Sequence, residues 1–172
     1  LSEVREEIKC LSNGKWSEDV QGGICKDFEP PEITCPNDIL IENIQHQNVA
    51  QVNWEIPQAR DNSGEEVTIE VSPAFLPPHM LPIGDVSVTY TATDSSGNQG
   101  SCTFNIKVID VDPPVIDRCR SPPAIQATDN KQSATWEEPQ FSDNSGSHLT
   151  ITKTHSPGDI FTHGETIVEY VA

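Results

Sequence analysis

One stretch of this chain occurs twice. Trp54-Glu55-Ile56-Pro57-Gln58-Ala59-Arg60-Asp61-Asn62-Ser63-Gly64 returns 82 positions later as Trp136-Glu137-Glu138-Pro139-Gln140-Phe141-Ser142-Asp143-Asn144-Ser145-Gly146. The echo extends outward: Pro30-Pro31-Glu32-Ile33 answers to Pro113-Pro114-Val115-Ile116, Cys35 to Cys119, and Gly84 to Ala92 answers to Gly164 to Ala172. A period near 80 exceeds the roughly 20–50-residue units of solenoids and propellers, so each copy must carry its own core. Over 172 residues this predicts two small domains behind a leader, bounded at 1–27, 28–111 and 112–172.

Within each copy the apolar residues alternate, as half-buried strands require. The first copy offers Ile39 and Ile41; Val52, Trp54 and Ile56; Val67, Ile69 and Val71; Val86, Val88, Tyr90 and Ala92; and Cys102, Phe104, Ile106 and Val108. Turn residues separate them, at Asp61-Asn62-Ser63-Gly64, across the proline-rich Pro73–Pro82 segment, and at Asp94-Ser95-Ser96-Gly97-Asn98. No helical period appears. The pattern predicts an all-β protein of antiparallel β-sandwiches in tandem. The second copy runs through Ala134 and Trp136, Leu149 and Ile151, and Val168, Tyr170 and Ala172. Positions matching Thr93–Val108 fall after Ala172, so this sandwich is expected to lack its last strand and to be unstable or poorly ordered alone.

Charge and cysteine usage narrow the setting. The formal net charge is −17, from 27 acidic against 10 basic residues, and Arg118 with Arg120 is the nearest approach to a basic pair. Such a surface repels phosphate backbones and anionic headgroups, which argues against nucleic acid, anionic membrane or heparin-like ligands. It suits basic partners or divalent cations, although acidic surfaces also serve solubility alone. No apolar run nears the ~20 residues of a membrane span. The chain opens Leu1-Ser2-Glu3-Val4, without an initiator Met or an apolar signal stretch, and is expected to be an excised piece or mature fragment. The five cysteines form no Cys-x-x-Cys pair and lie at module edges, which points to disulfides in an oxidising, extracellular compartment. In the leader, Trp16 between Cys10 and Cys25 predicts a tiny disulfide-held core.

The ordered motifs resemble a known family. Pro-Pro-x-Ile…Cys, then Trp-x-x-Pro…Asp-Asn-Ser-Gly, then Gly84…Val88-Thr89-Tyr90-Thr91-Ala92-Thr93-Asp94…Gly97-Asn98…Cys102-x-Phe104 resemble the HYR (hyalin repeat) module over 28–111 and as far as the second copy extends. That resemblance implies an immunoglobulin-like sandwich, related in form to fibronectin type III, and an association with extracellular adhesion. The leader is similar to the end of a sushi (complement control protein) module. On that likeness Cys10 and Cys25 are its third and fourth cysteines, which pair with partners upstream of Leu1 and not with each other.

Most distinctive residues have structural roles available. Cys35, ahead of the first strand, and Cys102, opening the last, are expected to bond, which leaves Cys119 free alongside the unpaired Cys10 and Cys25. Trp54 and Trp136 are expected in cores. Tyr90 and Tyr170 are expected to cap nearby backbone through their hydroxyls. The Asp-Asn-Ser-Gly and Asp94–Asn98 loops are rich in oxygen ligands, as is Asp110-Val111-Asp112-Pro113-Pro114 between the copies, which makes Asp110 and Asp112 calcium candidates. Turn chemistry explains the same residues. His46, His79, His148, His155 and His163 have no metal-ligand spacing, no Gly-x-Ser-x-Gly elbow exists, and a sandwich of ~80 residues has little room for an enclosed active site. No enzyme, cofactor or small-molecule substrate is expected. Phe75, Leu76, Met80 and Leu81 sit in an apparent loop and either cap the sandwich or form a contact patch. The sequence therefore predicts a secreted, non-catalytic spacer and contact segment whose partners are extracellular or cell-surface proteins, with a calcium-rigidified linker at 110–112 as the alternative.

Overall fold

The computed structural model describes residues 27–126 and 128–172. Cys10, Trp16 and Cys25, with the predicted sushi-like core, lie outside the described residues. Among those described, all regular structure is β-strand, and no helix is long and apolar enough to cross a membrane. The chain divides into two compact units: the described residues up to Ile41 with Ala50–Ile109, and Glu42–Val49 with Asp110–Ala172.

The first unit is built from β1 (Glu32–Ile33), β2 (Ile39–Glu42), β3 (Val49–Val52), β4 (Ala59–Arg60), β5 (Thr68–Ser72), β6 (His79–Pro82), β7 (Gly84–Thr93) and β8 (Gln99–Ile109). One layer is a four-stranded sheet in the order β2-β8-β7-β5; β3 lies beside β6, and β1 pairs with β4. The β7–β8 hairpin is the spine, antiparallel in unbroken register from Gly84 opposite Val108 to Thr93 opposite Gln99. Its turn closes where Asp94 N donates to Asn98 O (3.1 Å) and Gly97 takes φ 87°, a left-handed conformation open to glycine. Period-two alternation sends Val88, Tyr90 and Ala92 inward from β7 and Phe104, Ile106 and Val108 inward from β8. Opposite them, Ala50 and Val52 of β3, Trp54 and Leu81 of β6 close the core. The predicted sandwich is present.

Two strand expectations are corrected. Ile56 is 52 % exposed, because alternation slips after Trp54 and turns Pro57 inward in its place. The segment read as a Pro73–Pro82 loop ends in strand β6, where Leu81 is 2 % exposed and belongs to the core. The flanking prolines disguised it. Pro82 ends a strand of a two-stranded sheet, a position that proline tolerates.

Cys35 and Cys102 are bonded, with Cα atoms 5.5 Å apart. Cys35 follows β1 instead of preceding every strand, and Cys102 lies within β8, opposite Tyr90, instead of opening it. The tyrosine expectation is also corrected. Tyr90 does not cap backbone: its buried hydroxyl accepts the indole N–H of Trp54 at 2.9 Å, and that indole meets Phe104 edge-on at 5.9 Å. An indole N–H inside an apolar core requires an acceptor, and the hydroxyl supplies it.

The second unit repeats this plan in β9 (Val115–Arg118), β10 (Lys131–Ser133), β11 (Gln140–Ser142), β12 (Thr152–Lys153), β13 (Ile160–Thr162) and β14 (Tyr170–Val171), paired antiparallel as β9–β11, β10–β13 and β12–β14. Trp136 donates to the Tyr170 hydroxyl at 2.7 Å, and that hydroxyl donates in turn to Glu138 Oε1 at 3.2 Å. Strands therefore form, but Trp136 is only half-buried, and none of the unit's described apolar side chains is as buried as the first unit's core. The first unit's core draws Phe104, Ile106 and Val108 from β8.

Two stability measurements follow. Replacing both Cys35 and Cys102 with alanine is expected to cost about 4 kcal/mol in denaturant unfolding, from the entropy of the 67-residue loop the bond closes. Tyr90→Phe leaves the Trp54 N–H without an acceptor in a dry core and should cost about 1–3 kcal/mol, whereas Tyr170→Phe should cost less because water reaches the half-buried Trp136.

Candidate functional site

One end of the first unit gathers polar groups from three separate segments. The arrangement starts at Gly100, where a Cβ would stand 2.0 Å from the carbonyl oxygen of Pro31. With glycine there, the 27–31 segment lies against β8. Asn98 then ties it down: its Nδ2 donates to the carbonyl oxygens of Asp27 and Glu29, each at 3.2 Å, and to Asp94 Oδ2 at 2.7 Å. The Asn98 amide donates to the other Asp94 oxygen at 2.8 Å, so Asp94, 8 % exposed, is held at both ends.

The third segment is the turn that opens at Asp61. Ser63 donates to Asp61 Oδ2 from its amide (2.9 Å) and its hydroxyl (2.5 Å), and Gly64 takes φ 72° to close the turn. Those two donors hold the Asp61 carboxyl below the usual aspartate value of 3.8. Asn62 Nδ2 reaches Asp27 Oδ1 at 3.3 Å. One carboxylate oxygen each from Asp27, Asp61 and Asp94 then lie within 4.8 Å of one another. Asp61 Oδ1 is sealed from solvent and meets no hydrogen-bond donor among the described residues. Both turns are oxygen-rich in sequence. Asp27 stands outside any such turn, although the repeat carries a signal for it: the alignment that equates Pro30-Pro31 with Pro113-Pro114 sets Asp27 against Asp110.

The second unit places the predicted calcium candidates differently. Asp112 Oδ2 accepts from Asn43 Nδ2 (2.8 Å) and from the His46 amide (2.7 Å), while Asn43 Oδ1 accepts the Val111 amide at 3.1 Å. Asp110 Oδ1 accepts from the Asp112 amide and from Asn144 Nδ2, each at 3.2 Å. Among the described residues no third carboxylate, histidine or cysteine joins Asp110 and Asp112 in a metal-sized group.

The apolar segment is divided between core and surface. Leu81 is core. Phe75 is half-buried against that core and stacks on His79 at 4.4 Å. Leu76 and Met80 are 61 % and 47 % exposed. The Cys119 thiol is free and exposed.

The family model for the HYR domain matches residues 26–108 and 109–172. The chain belongs to the HYR family. Its β-sandwiches are those of this immunoglobulin-like module. The sushi, von Willebrand factor type A, EGF and pentraxin domain-containing protein 1 (polydom) of Mus musculus is 60 % identical over 172 residues, covering 100 % of this chain. Hyalin of Lytechinus variegatus is 38 % identical over 154 residues, 84 % of this chain and 28 % of hyalin. The human sushi repeat-containing protein SRPX is 34 % identical over 103 residues, 59 % of this chain and 21 % of that protein. The chain spans 5 % of the length of the mouse relative. These relatives are secreted or extracellular-matrix proteins, and the chain is an extracellular module.

The packing at Gly100 sets a direct test. Gly100→Ala must push the Pro31 carbonyl off β8, and it is expected to lower stability by roughly 1–3 kcal/mol in denaturant unfolding. Gly146→Ala, strained only by its φ of 69° in an open turn, should cost about 1 kcal/mol.

Proposed function

We propose that this chain is a non-catalytic spacer and protein-contact segment in cell adhesion or matrix assembly. The observation that carries the reading is the tandem duplication itself, within a family shared with large modular extracellular relatives. Each copy opens on a double proline, Pro30-Pro31 and Pro113-Pro114. Proline fixes its own φ and restricts the residue before it, so such joints resist bending. Stiff joints hold successive modules apart and present their loops to partners.

Contact with an extracellular or cell-surface protein is assigned to the 75–80 surface. Leu76 and Met80 are exposed within the same short segment as the Phe75–His79 stack, and exposed apolar side chains of this kind mark contact surfaces. Calcium at the 110–112 linker is the second reading, supported by two aspartates in a five-residue stretch. It is the weaker one, since Asp112 already accepts two strong hydrogen bonds.

Replacing Pro113 and Pro114 with glycines is expected to broaden the small-angle scattering distance distribution of the chain, and an unchanged distribution would count against the spacer. Leu76→Glu with Met80→Glu is expected to reduce cell attachment to surfaces coated with the chain while leaving its melting temperature unchanged.

A further inference from the structure

We propose that Asp27, Asp61 and Asp94 bind a calcium ion at the loop end of the first repeat. The site is independent of the spacer reading and distinct from the 110–112 linker.

Two observations carry it. Three carboxylate oxygens from three separate segments stand within 4.8 Å of one another, and like charges at that range repel unless something positive lies among them. Independently, Asp61 Oδ1 is closed off from solvent and meets no hydrogen-bond donor among the described residues. A charged oxygen that has lost water and gained no partner is costly. The neighbouring donors do not relieve it: Ser63 spends both of its bonds on Oδ2, and the Asn98 side chain is committed to Asp94 and to two backbone carbonyls. A cation among the three carboxylates answers both needs at once.

The donor set selects the ion. All three ligands are hard oxygens, with no sulfur or imidazole in the group, which disfavours zinc and copper. Calcium accepts six to eight oxygens in irregular geometry, whereas magnesium demands a near-ideal octahedron and keeps its waters. Ligands from a segment end and two turns suit the former. The second repeat reproduces part of the arrangement. Ser145 donates from its amide and hydroxyl to Asp143 Oδ1 as Ser63 does to Asp61, and Asn144 Nδ2 bonds Asp110 Oδ1 at 3.2 Å as Asn62 does Asp27. The position equivalent to Asp94 falls after Ala172.

The test is calorimetric titration of CaCl2 into the chelator-stripped chain, with melting temperature followed in parallel. The expected result is saturable binding with Kd on the order of 10⁻⁴–10⁻³ M, the range of extracellular modules, and a higher melting temperature with calcium. Asp61→Asn keeps an acceptor for Ser63 and removes one of the clustered charges. It should melt no lower than the parent in chelator, yet bind calcium roughly tenfold or more weakly, because affinity follows ligand charge. Asp27→Asn gives the same readout if the first variant fails to fold. Asp112→Asn should leave binding unchanged. Absence of heat and of a melting shift up to about 10 mM CaCl2 would overturn the proposal. So would binding that survives Asp61→Asn and Asp27→Asn but is lost in Asp112→Asn, or a response to MgCl2 that equals the response to calcium.

Discussion

The bond from the Trp54 indole to the Tyr90 hydroxyl is the fixed point of the first unit. Trp54 leaves β3 in one layer, and Tyr90 sits mid-way along β7 in the other, so a single directional interaction sets their relative position in an otherwise non-directional apolar core. Both acidic turns hang from that point. Asp94 lies four residues beyond Tyr90, about 13 Å along a strand, and Asp61 lies seven beyond Trp54. Fixing the aromatic pair fixes where the two turns emerge. The second unit uses the same device, Trp136 to Tyr170, and there it holds with far less apolar cover.

What was legible in the sequence was whatever depends on periodicity. Alternation located β2, β5, β7 and β8; the duplication gave the repeat; and the Cys35–Cys102 bond followed once a sandwich was assumed. Where the structure departs from the sequence pattern, the cause is a neighbour in space. The Tyr90 hydroxyl serves an indole 36 residues away, and no local motif declares that the indole needs an acceptor. The β6 strand was hidden by prolines that a sheet edge accommodates. The alternation that would turn Ile56 inward ends where Pro57 turns in.

The acidic end shows the same limit from the other side. Asp61 and Asp94 sit in turns whose residue types are fully explained by turn formation, so sequence alone gave no reason to prefer ligand chemistry. Asp27 looked like the last residue of a leader. What assembles the three is a backbone contact, Pro31 over Gly100, and one amide side chain, Asn98, that grips the carbonyls of residues 27 and 29 while holding Asp94. Neither glycine nor asparagine announces such a role by spacing. Only a Cβ that has no room at Gly100 reveals why that position is bare.

Comparison of the two copies separates what the module needs from what one copy adds. The Trp–Tyr bond, the Asp–Ser turn and the Asn-to-Asp contact recur at equivalent positions in both. The apolar 73–82 segment does not: its counterpart, His155-Ser156-Pro157-Gly158-Asp159-Ile160-Phe161-Thr162-His163, is shorter and more polar. Phe161 there turns to Trp136, at 6.1 Å between rings, and serves its own unit's interior. A feature that both copies keep belongs to building the sandwich and its acidic end, whereas a feature of one copy is free to be specific. The exposed side chains of Leu76 and Met80 belong to the first repeat alone, whereas the Asp–Ser turn and the Asn-to-Asp contact are common to both copies.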